Sequence, residues 1–352
     1  MEKILLTISF LTYGRNFDEL KRFMKPLKEL SKAVPTEILA VDTGCNNEVR
    51  RYLDKNVDMV VPFEWCGDFS KARNEGLKRA RGEWFMTIDD DEVIENVAPL
   101  VNFLRSDESR SFNSLFYIME NYSSYLDEKH DDVYLLRMVR MDKETRFVGA
   151  VHEIFSPVRR PAKYLDMRAK HYGYASVDSN NLREKTERNL RIILEELSKN
   201  PDNIILSSHL PECYQVLGEY GKMEESSKYC LEIVPKEDGY RDIITWLTIQ
   251  YLLSLKLQGK YVTIIEEYSS LLDNPLLIEG MAMVLLYAME SFYFIKDMEN
   301  ALSTALLYIG LYKEQQAAGA ILGPTTVSGL GEAFSLDTIK RVYLIIKAAG
   351  ME

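Results

Sequence analysis

Four consecutive acidic residues, Asp89, Asp90, Asp91 and Glu92, are the first feature of the sequence that could do chemistry. They follow the mostly apolar run Trp84–Ile88, so they lie where a buried strand would end. Carboxylates this close together repel one another, and holding them side by side is costly without a cation among them. The D-x-D spacing brings two hard oxygen ligands near one point, which suits Mg²⁺ or Mn²⁺ bound to nucleotide phosphates. An isolated D-x-D is more often a solvated acidic turn, but its position after a strand favours the metal site.

The first half of the chain alternates short β-rich runs with stretches of helical periodicity. The runs KILLTISFLTY, TEILAVDTG, DMVVPFEW and EWFMTIDDD are strand candidates, and amphipathic stretches separate them. This order is typical of an α/β fold with a mostly parallel sheet. Ligands of such sheets bind at the carboxyl ends of the strands. Thr12, Asp42 and Asp89 close three of these runs, so we expect all three side chains at one edge of the sheet.

The strand signal fades after about residue 182, and the rest of the chain has helical periodicity. A loose repeat is present there: Gly221 and Gly259 lie 38 residues apart, and two prolines recur at a similar spacing. A period of this size favours stacked helix pairs of the tetratricopeptide kind, with an irregular helical domain as the alternative. We therefore predict an α/β domain over residues 1–182 and an all-α domain over residues 183–352.

The composition excludes several classes of protein. A net charge of −11 leaves no broad basic face for nucleic-acid phosphates. No stretch reaches the roughly 18 apolar residues of a membrane span, and the N-terminal apolar run is better interpreted as a first strand than as a signal peptide. The four cysteines form no CxxC pair, which argues against disulfides or zinc and predicts a reducing cytoplasm. They are Cys45, Cys66, Cys213 and Cys230.

Five segments resemble, in order and spacing, the motifs of family 2 glycosyltransferases with the GT-A fold: ISFLTYGRN, ILAVDTGCNN, DFSKARNEGLKRARGEWFMTIDDDE, GAVHE and KHYGY. More narrowly, they are similar to a bacterial subgroup that carries tetratricopeptide-like helices and includes peptide S-glycosyltransferases of the glycocin type. The resemblance implies a Rossmann-like GT-A domain and an inverting transfer of a sugar from a nucleoside diphosphate sugar, often UDP-linked. It also implies a divalent metal, Mn²⁺ or Mg²⁺, and a peptide, protein or glycan acceptor.

Two departures from the family pattern concern the donor site. Family members usually have D-A-D-E where this chain has DDDE, so Asp90 is an additional carboxylate. We expect it to point away from the metal while belonging to the nucleotide-sugar site. The second-strand motif usually continues with Ser-Thr-Asp, and here Cys45, Asn46 and Asn47 follow.

The resemblance assigns the remaining nucleotide contacts to the ends of the first two strands and to the third helix. Asp42 matches the position that accepts a hydrogen bond from the base, and its alternative role is an Asx turn. Thr12 and Tyr13 would bond and pack against the nucleoside, and plain packing is the alternative for Tyr13. Arg73 matches a nucleotide-contacting arginine, with a surface salt bridge as the alternative.

The metal ligands and the catalytic base come from separate motifs. Asp91 is expected to bind the ion directly, Asp89 to bond the ribose or reach the ion through water, and His171 to supply a further ligand or a structural contact. On the acceptor side we predict His152 and Glu153, facing a cleft, with Glu153 as the general base. The charge of Glu153 would be balanced by His152, Arg137 or Arg140, and a buried ion pair is the alternative to catalysis.

Two rival functions belong to other classes. A nucleotidyltransferase also uses an acidic metal site, but it normally has a glycine-rich loop after the first strand, and FLTYGRN has one glycine. A non-catalytic scaffold would bind a partner through the helices and keep only a vestigial sugar-nucleotide domain. The helical domain is expected to hold the acceptor, with dimerisation of two copies as its alternative role.

Overall fold

The computed structural model describes residues 3–14, 17–122, 130–171, 179–278, 280–317 and 333–349. The chain forms two compact units, Met1–Val177 and Asp178–Glu352. The first unit contains every described strand, and the second is helical in all its described elements. Tyr172, Gly173 and Tyr174 of the KHYGY motif, and Arg15 and Asn16 of the first motif, lie outside the described residues.

Eight strands of the first unit form one sheet in the order β3-β2-β1-β4-β7-β6-β10-β5. Strands β1 to β4 run parallel, β7 is antiparallel to both β4 and β6, β10 is parallel to β6, and β5 is antiparallel to β10. A separate hairpin joins β8 and β9. The predicted α/β class with a mostly parallel sheet is confirmed. The strands are β1 Leu6–Thr12, β2 Thr36–Asp42, β3 Met59–Pro62, β4 Trp84–Asp89, β5 Glu92–Ile94, β6 Ser114–Tyr122, β7 His130–Arg140, β8 Arg146–Val148, β9 Ile154–Ser156 and β10 Ala162–His171.

Four helices accompany this sheet: α1 Phe17–Ala33, α2 Asn47–Asn56, α3 Phe69–Leu77 and α4 Ala98–Arg105. Helix α1 buries one face, because its apolar residues recur at helical spacing from Leu20 to Leu30. The α3 helix begins where the sequence allows an N-cap: the Asp68 carboxylate accepts a hydrogen bond from the Lys71 backbone N–H at 2.9 Å.

Helix α3 lies unusually close to the sheet at Gly76. A β-carbon at this position would come within 2.2 Å of the Ser9 Oγ atom on β1 and 3.2 Å of the Val41 side chain on β2. Only glycine permits this approach, so Gly76 fixes how deeply the helix packs on β1 and β2. The side chains on that face of α3 consequently reach the carboxyl ends of the strands.

The second unit consists of helices that contact their neighbours in the chain, α7 with α8, α8 with α9, α10 with α11, and α11 with α12. Gly218 and Gly259 end α7 and α9 with φ values of 75° and 71°. Gly218 and Gly259 therefore occupy equivalent positions, each after the end of a helix. Gly221, which the predicted repeat pairs with Gly259, lies inside α8 instead. The helical class is confirmed, and the tetratricopeptide kind stays a prediction. The helices are α5 Ser179–Lys199, α6 Ile204–Ser207, α7 Leu210–Leu217, α8 Tyr220–Ile233, α9 Arg241–Leu257, α10 Tyr261–Leu272, α11 Met281–Phe294, α12 Met298–Ala317 and α13 Leu336–Ala348.

Among the described residues, no helix combines the length and the apolar character that crossing a membrane requires. The cytoplasmic location stays a prediction.

Candidate active site

The acidic motif lies at the carboxyl edge of the sheet, where β4 ends at Asp89 and β5 begins at Glu92. Asp89 is held by two arginines: Arg73 donates to its Oδ1 atom at 2.7 Å, and Arg137 lies 3.5 Å from its Oδ2 atom. Burial alone would raise the pKa of Asp89, but the two guanidinium groups outweigh it and hold that pKa below its usual range. Asp89 is therefore ionised, and each of its two carboxylate oxygens faces a guanidinium group.

Arg137 reaches the motif because of an irregularity in the sheet. Leu115 pairs with Met138, and Phe116 pairs with Leu136, so Arg137 is an extra residue on β7. A β-bulge of this kind turns a side chain out of its regular alternation. The Arg137 guanidinium bonds to the buried Glu92 carboxylate as well as to Asp89.

Glu92 and Asp90 have the opposite electrostatic character from Asp89. Burial raises the pKa of Glu92 to about 7, although Arg137 opposes the shift. Burial also raises the pKa of Asp90 to about 7, and the neighbouring carboxylates of Asp91 and Asp89 add to the shift. The motif thus contains more carboxylates than the two arginines neutralise.

Asp90 points toward the first strand. Its Oδ2 atom accepts a hydrogen bond from the buried Thr12 hydroxyl at 2.6 Å, and the same hydroxyl accepts one from the Gly14 backbone N–H at 3.0 Å. Asp91 instead faces β10. The additional carboxylate of this chain therefore ties the ends of β1 and β4 together.

Asp91 and His171 form the pair that could hold a metal. The His171 Nε2 atom lies 3.7 Å from the Asp91 Oδ2 atom, and the His171 Nδ1 atom lies 2.9 Å from the side-chain oxygen of Asn121. With Nδ1 donating to Asn121, the Nε2 lone pair is available to an ion beside Asp91. Metal-ligating histidines typically have their other ring nitrogen held by a hydrogen bond in this way. A single ion bonded at about 2.1 Å to each atom can span this separation. Burial lowers the pKa of His171, but the Asp91 carboxylate outweighs it and raises that pKa.

Sequence reasoning missed Asn121, and it missed a second group of potential ligands on β6 and β7. Glu120, His130 and Asp132 have ligand atoms that lie within 4.8 Å of one another. Successive residues of a strand point to opposite faces, so the side chains of Glu120 and Asn121 lie on different faces of the sheet. Arg168 already bonds to Glu120 at 2.9 Å and to Asp132 at 2.7 Å, so this group has one guanidinium for its two carboxylates.

Arg73 joins the acidic motif to the predicted acceptor side. Its Nη2 atom donates to Asp89, its Nη1 atom donates to the Thr87 hydroxyl at 2.8 Å, and its Nε atom donates to Glu153. The partner of Glu153 is therefore Arg73, and the predicted partners Arg137 and Arg140 are wrong. The predicted contact with His152 stays a prediction. The salt-bridge alternative for Arg73 is present, but it is buried rather than at the surface. Its nucleotide contact stays a prediction.

The loop with His152 and Glu153 separates the two side chains. His152 is exposed and has a φ of 52°, whereas the Glu153 side chain is 10% exposed and lies against Arg73. The left-handed backbone at His152 directs the two side chains differently. That both residues face a cleft stays a prediction. The roles of both residues stay predictions.

Asp42 and Tyr13 lie at the ends of β2 and β1. The Asp42 Oδ1 atom accepts hydrogen bonds from the backbone N–H groups of Gly44 at 3.0 Å and Cys45 at 2.7 Å, and Arg50 bonds to Oδ2 at 2.6 Å. The Asx turn is thus present, and base recognition by Asp42 stays a prediction. Tyr13 is 63% exposed, with its ring packed against the turn at Gly44.

Comparison with known proteins identifies the class of the first unit. The model of the family described as Glycosyl transferase family 2 matches residues 8–165, which confirms the predicted resemblance over that part of the chain. The SPbeta prophage-derived glycosyltransferase SunS of Bacillus subtilis (strain 168) is 27% identical over 202 residues, which cover 53% of this chain and 44% of SunS. A TPR repeat-containing protein of Synechococcus elongatus is 23% identical over 252 residues, 68% of this chain and 60% of that protein.

The chain spans about half the length of the curated relatives it matches. Among solved structures, residues 1–349 of S. aureus TarS in complex with UDP-GlcNAc are similar to this chain with a TM-score of 0.39 and 15% identity. That alignment covers 72% of this chain and 89% of the TarS chain.

Proposed function

We propose, from the premise that residues 8–165 belong to glycosyl transferase family 2, that this chain moves a sugar from a nucleoside diphosphate sugar to an acceptor with inversion. The observation that carries the proposal is the Asp91–His171 pair beside an Asp89 carboxylate that two arginines hold. All these groups lie at the carboxyl edge of the sheet, where such folds bind nucleotides.

The donor side is assembled from the ends of β1, β2 and β4. Asp42 is proposed to accept the imide N–H of uracil, which favours a UDP-linked sugar, and the exposed Tyr13 ring offers a surface for the base. Asp91 and His171 would hold Mn²⁺ or Mg²⁺, and the imidazole ligand favours Mn²⁺. The ion would offset the charge that develops on the departing diphosphate.

The acceptor side is proposed to use Glu153. An inverting transfer needs a group that removes a proton from the acceptor while the new bond forms opposite the diphosphate. Glu153 is the carboxylate of the β8–β9 loop that faces the acidic motif, since Arg73 bonds to it and to Asp89 together. Glu153→Gln is expected to reduce transfer by about 10²–10⁴-fold while donor affinity survives.

The helical unit is proposed to bind the acceptor, a peptide or protein being favoured over a glycan. Paired helices present extended surfaces that suit chain-like ligands. Dimerisation of two copies is the alternative. Light scattering of the full chain with and without a peptide acceptor would separate them, because only the alternative requires a dimer in the absence of acceptor.

The experiment that tests the proposed function is a donor screen with the full chain. Purified protein is incubated with UDP-linked and other nucleoside diphosphate sugars, with Mn²⁺, Mg²⁺ or a chelator, and release of nucleoside diphosphate is measured with and without candidate acceptors. We expect release that depends on metal and is fastest with one UDP-sugar. Release of pyrophosphate from a nucleoside triphosphate would identify a nucleotidyltransferase instead. No turnover and no thermal stabilisation by any donor would favour the scaffold.

A further inference from the structure

We propose that Arg73 is a positioning residue that sets the general base Glu153 at a fixed distance from the donor-side carboxylate Asp89. This inference rests on the proposed function. It concerns how the donor side and the acceptor side of the proposed site are kept at a fixed distance from each other. The expected role from the family pattern was a contact to the nucleotide. The contacts of Arg73 assign it a different task.

Each of the three nitrogens of the Arg73 guanidinium donates one hydrogen bond. One planar guanidinium bonds to Glu153 through Nε, to Thr87 through Nη1 and to Asp89 through Nη2. Its side chain is only 7% exposed, so water competes little for these bonds. A planar group with its donors in a fixed fork defines the relative position of its acceptors in a way that a lysine cannot.

The backbone that carries Arg73 is tied to the backbone that carries Glu153. The neighbouring Asn74 side chain donates to the Phe147 carbonyl at 2.9 Å and accepts from the Phe147 N–H at 2.8 Å. At the start of the same helix, the Phe69 N–H donates to the Ala150 carbonyl at 2.8 Å. Helix α3 and the β8–β9 hairpin are therefore one assembly, and Arg73 connects that assembly to β4.

Arg137 is the natural comparison, because it also holds Asp89. It bonds to Asp89 and Glu92 from β7, and among the described residues its guanidinium does not bond to Glu153. Loss of Arg137 should therefore disturb the donor side alone. Loss of Arg73 should disturb the geometry between Asp89 and Glu153.

The test is a double-mutant cycle on the full chain, with transfer and donor binding measured separately. Arg73→Lys keeps the positive charge and the fold but cannot reach three acceptors. We expect it to lower kcat for transfer by about tenfold or more while the donor Kd changes less than about threefold, because Arg137 still holds Asp89. In the Glu153→Gln background, Arg73→Lys should lower kcat by less than about threefold. Arg137→Lys should raise the donor Kd and combine additively with Glu153→Gln.

A second measurement does not depend on turnover. Hydrogen–deuterium exchange of the segment 147–153 should accelerate in Arg73→Lys and stay unchanged in Arg79→Met, a matched control whose side chain pairs with Glu75 at the surface. Equal losses of transfer from Arg73→Lys with and without Glu153→Gln would overturn the positioning role, as would unchanged exchange of 147–153. A wild-type protein that transfers no sugar would refute the proposed function, and the exchange result would still decide whether Arg73 positions Glu153.

Discussion

Each unit of the protein holds a carboxylate between two cations, and the surroundings of these two carboxylates differ. In the helical unit, Glu290 is 8% exposed and forms ion pairs with Lys256 at 2.5 Å and Arg341 at 2.9 Å, which link α9, α11 and α13. In the α/β unit, Asp89 lies between Arg73 and Arg137 but is 35% exposed. Glu290 is one carboxylate with two cationic partners and leaves no uncompensated negative charge, so we call these three residues the balanced group.

The acidic motif is not balanced in this way. Five carboxylates lie there within the described part of the chain, and the two guanidinium groups bond to only three of them, Asp89, Glu92 and Glu153. The pKa of both Asp90 and Glu92 is raised to about 7. An excess of negative charge at the edge of a sheet is costly to the folded state and favours a cation. We therefore expect compensated charge to serve the structure of this protein and uncompensated charge to serve the proposed site. The five carboxylates belong to Asp89, Asp90, Asp91, Glu92 and Glu153.

The largest expected effect comes from removing the charge of Asp91. Asp91→Asn keeps the shape of the side chain but removes the charge of the proposed metal ligand, so transfer should fall by about 10⁴-fold, since a metal contributes several kcal/mol to the transition state. Steady-state transfer at saturating Mn²⁺ is the measurement. Asp107→Asn, the same change at an exposed position, should have no effect. Full metal-dependent activity of Asp91→Asn would show that the ion binds elsewhere.

The next effect concerns the orientation of His171. Asn121→Ala removes the acceptor for the His171 Nδ1–H, so the imidazole loses the bond that fixes its tautomer. The affinity for Mn²⁺ should fall by about 10–100-fold with little change of stability. Isothermal titration of Mn²⁺ into the donor complex measures this affinity. Glu120→Gln, on the opposite face of the sheet, should leave the affinity unchanged, and an equal loss there would assign the ion to the Glu120–His130–Asp132 group.

A substitution in the balanced group should lower the stability of the fold and leave the activity unchanged. Glu290→Gln leaves Lys256 and Arg341 without their shared partner, but both are partly exposed and can be hydrated. We expect a loss of about 1–2 kcal/mol in the free energy of unfolding, below the loss for a fully buried pair. Urea denaturation measures it, with the exposed Glu299→Gln as control. A change in kcat per folded molecule would contradict the distinction between balanced and unbalanced charge.

The smallest effect is a pH dependence at Asp42. Burial raises the pKa of this carboxyl, but the backbone N–H groups of Cys45 and Gly44, with Arg50, outweigh it and hold that pKa below its usual value. The ionised form therefore stabilises the fold above the unfolded pKa of about 3.9, and this contribution is lost as the pH falls through the lower folded pKa. Asp42→Asn should be less stable than the wild type at pH 7, and the difference should shrink as the pH falls below the unfolded pKa. Urea denaturation without donor, at pH 7 and over a series of acidic pH values, is the measurement, and a difference that does not shrink would show that hydrogen bonding alone is responsible.

Local sequence patterns predicted the strands of the first unit, whereas contacts between residues far apart in the chain were not predicted. The strands that end at Thr12, Asp42 and Asp89 depend on neighbours within a few residues. The period-two alternation of a strand and the apolar spacing of a helix arise from such neighbours, so they can be recognised in the sequence directly.

The electrostatic partners depend on contacts far apart in the chain. Arg73 and Glu153 are 80 residues apart, and the bond between them requires the β8–β9 hairpin to pack on α3. Arg137 reaches Glu92 only because a bulge shifts β7 by one residue, and a shift of one residue turns a side chain to the other face. Asn121 meets His171 through the register of β6 and β10, which no local pattern specifies.

The order of the large sheet also bears on how the protein behaves at high concentration. Its two outermost strands are β3, with four residues, and β5, with three. An edge strand is a template on which another chain can add a strand of its own, and short edges offer few backbone groups for that pairing. Pro62 shortens the β3 template further, because it lacks a backbone N–H. The eight-stranded sheet is thus protected at both edges against strand-by-strand aggregation.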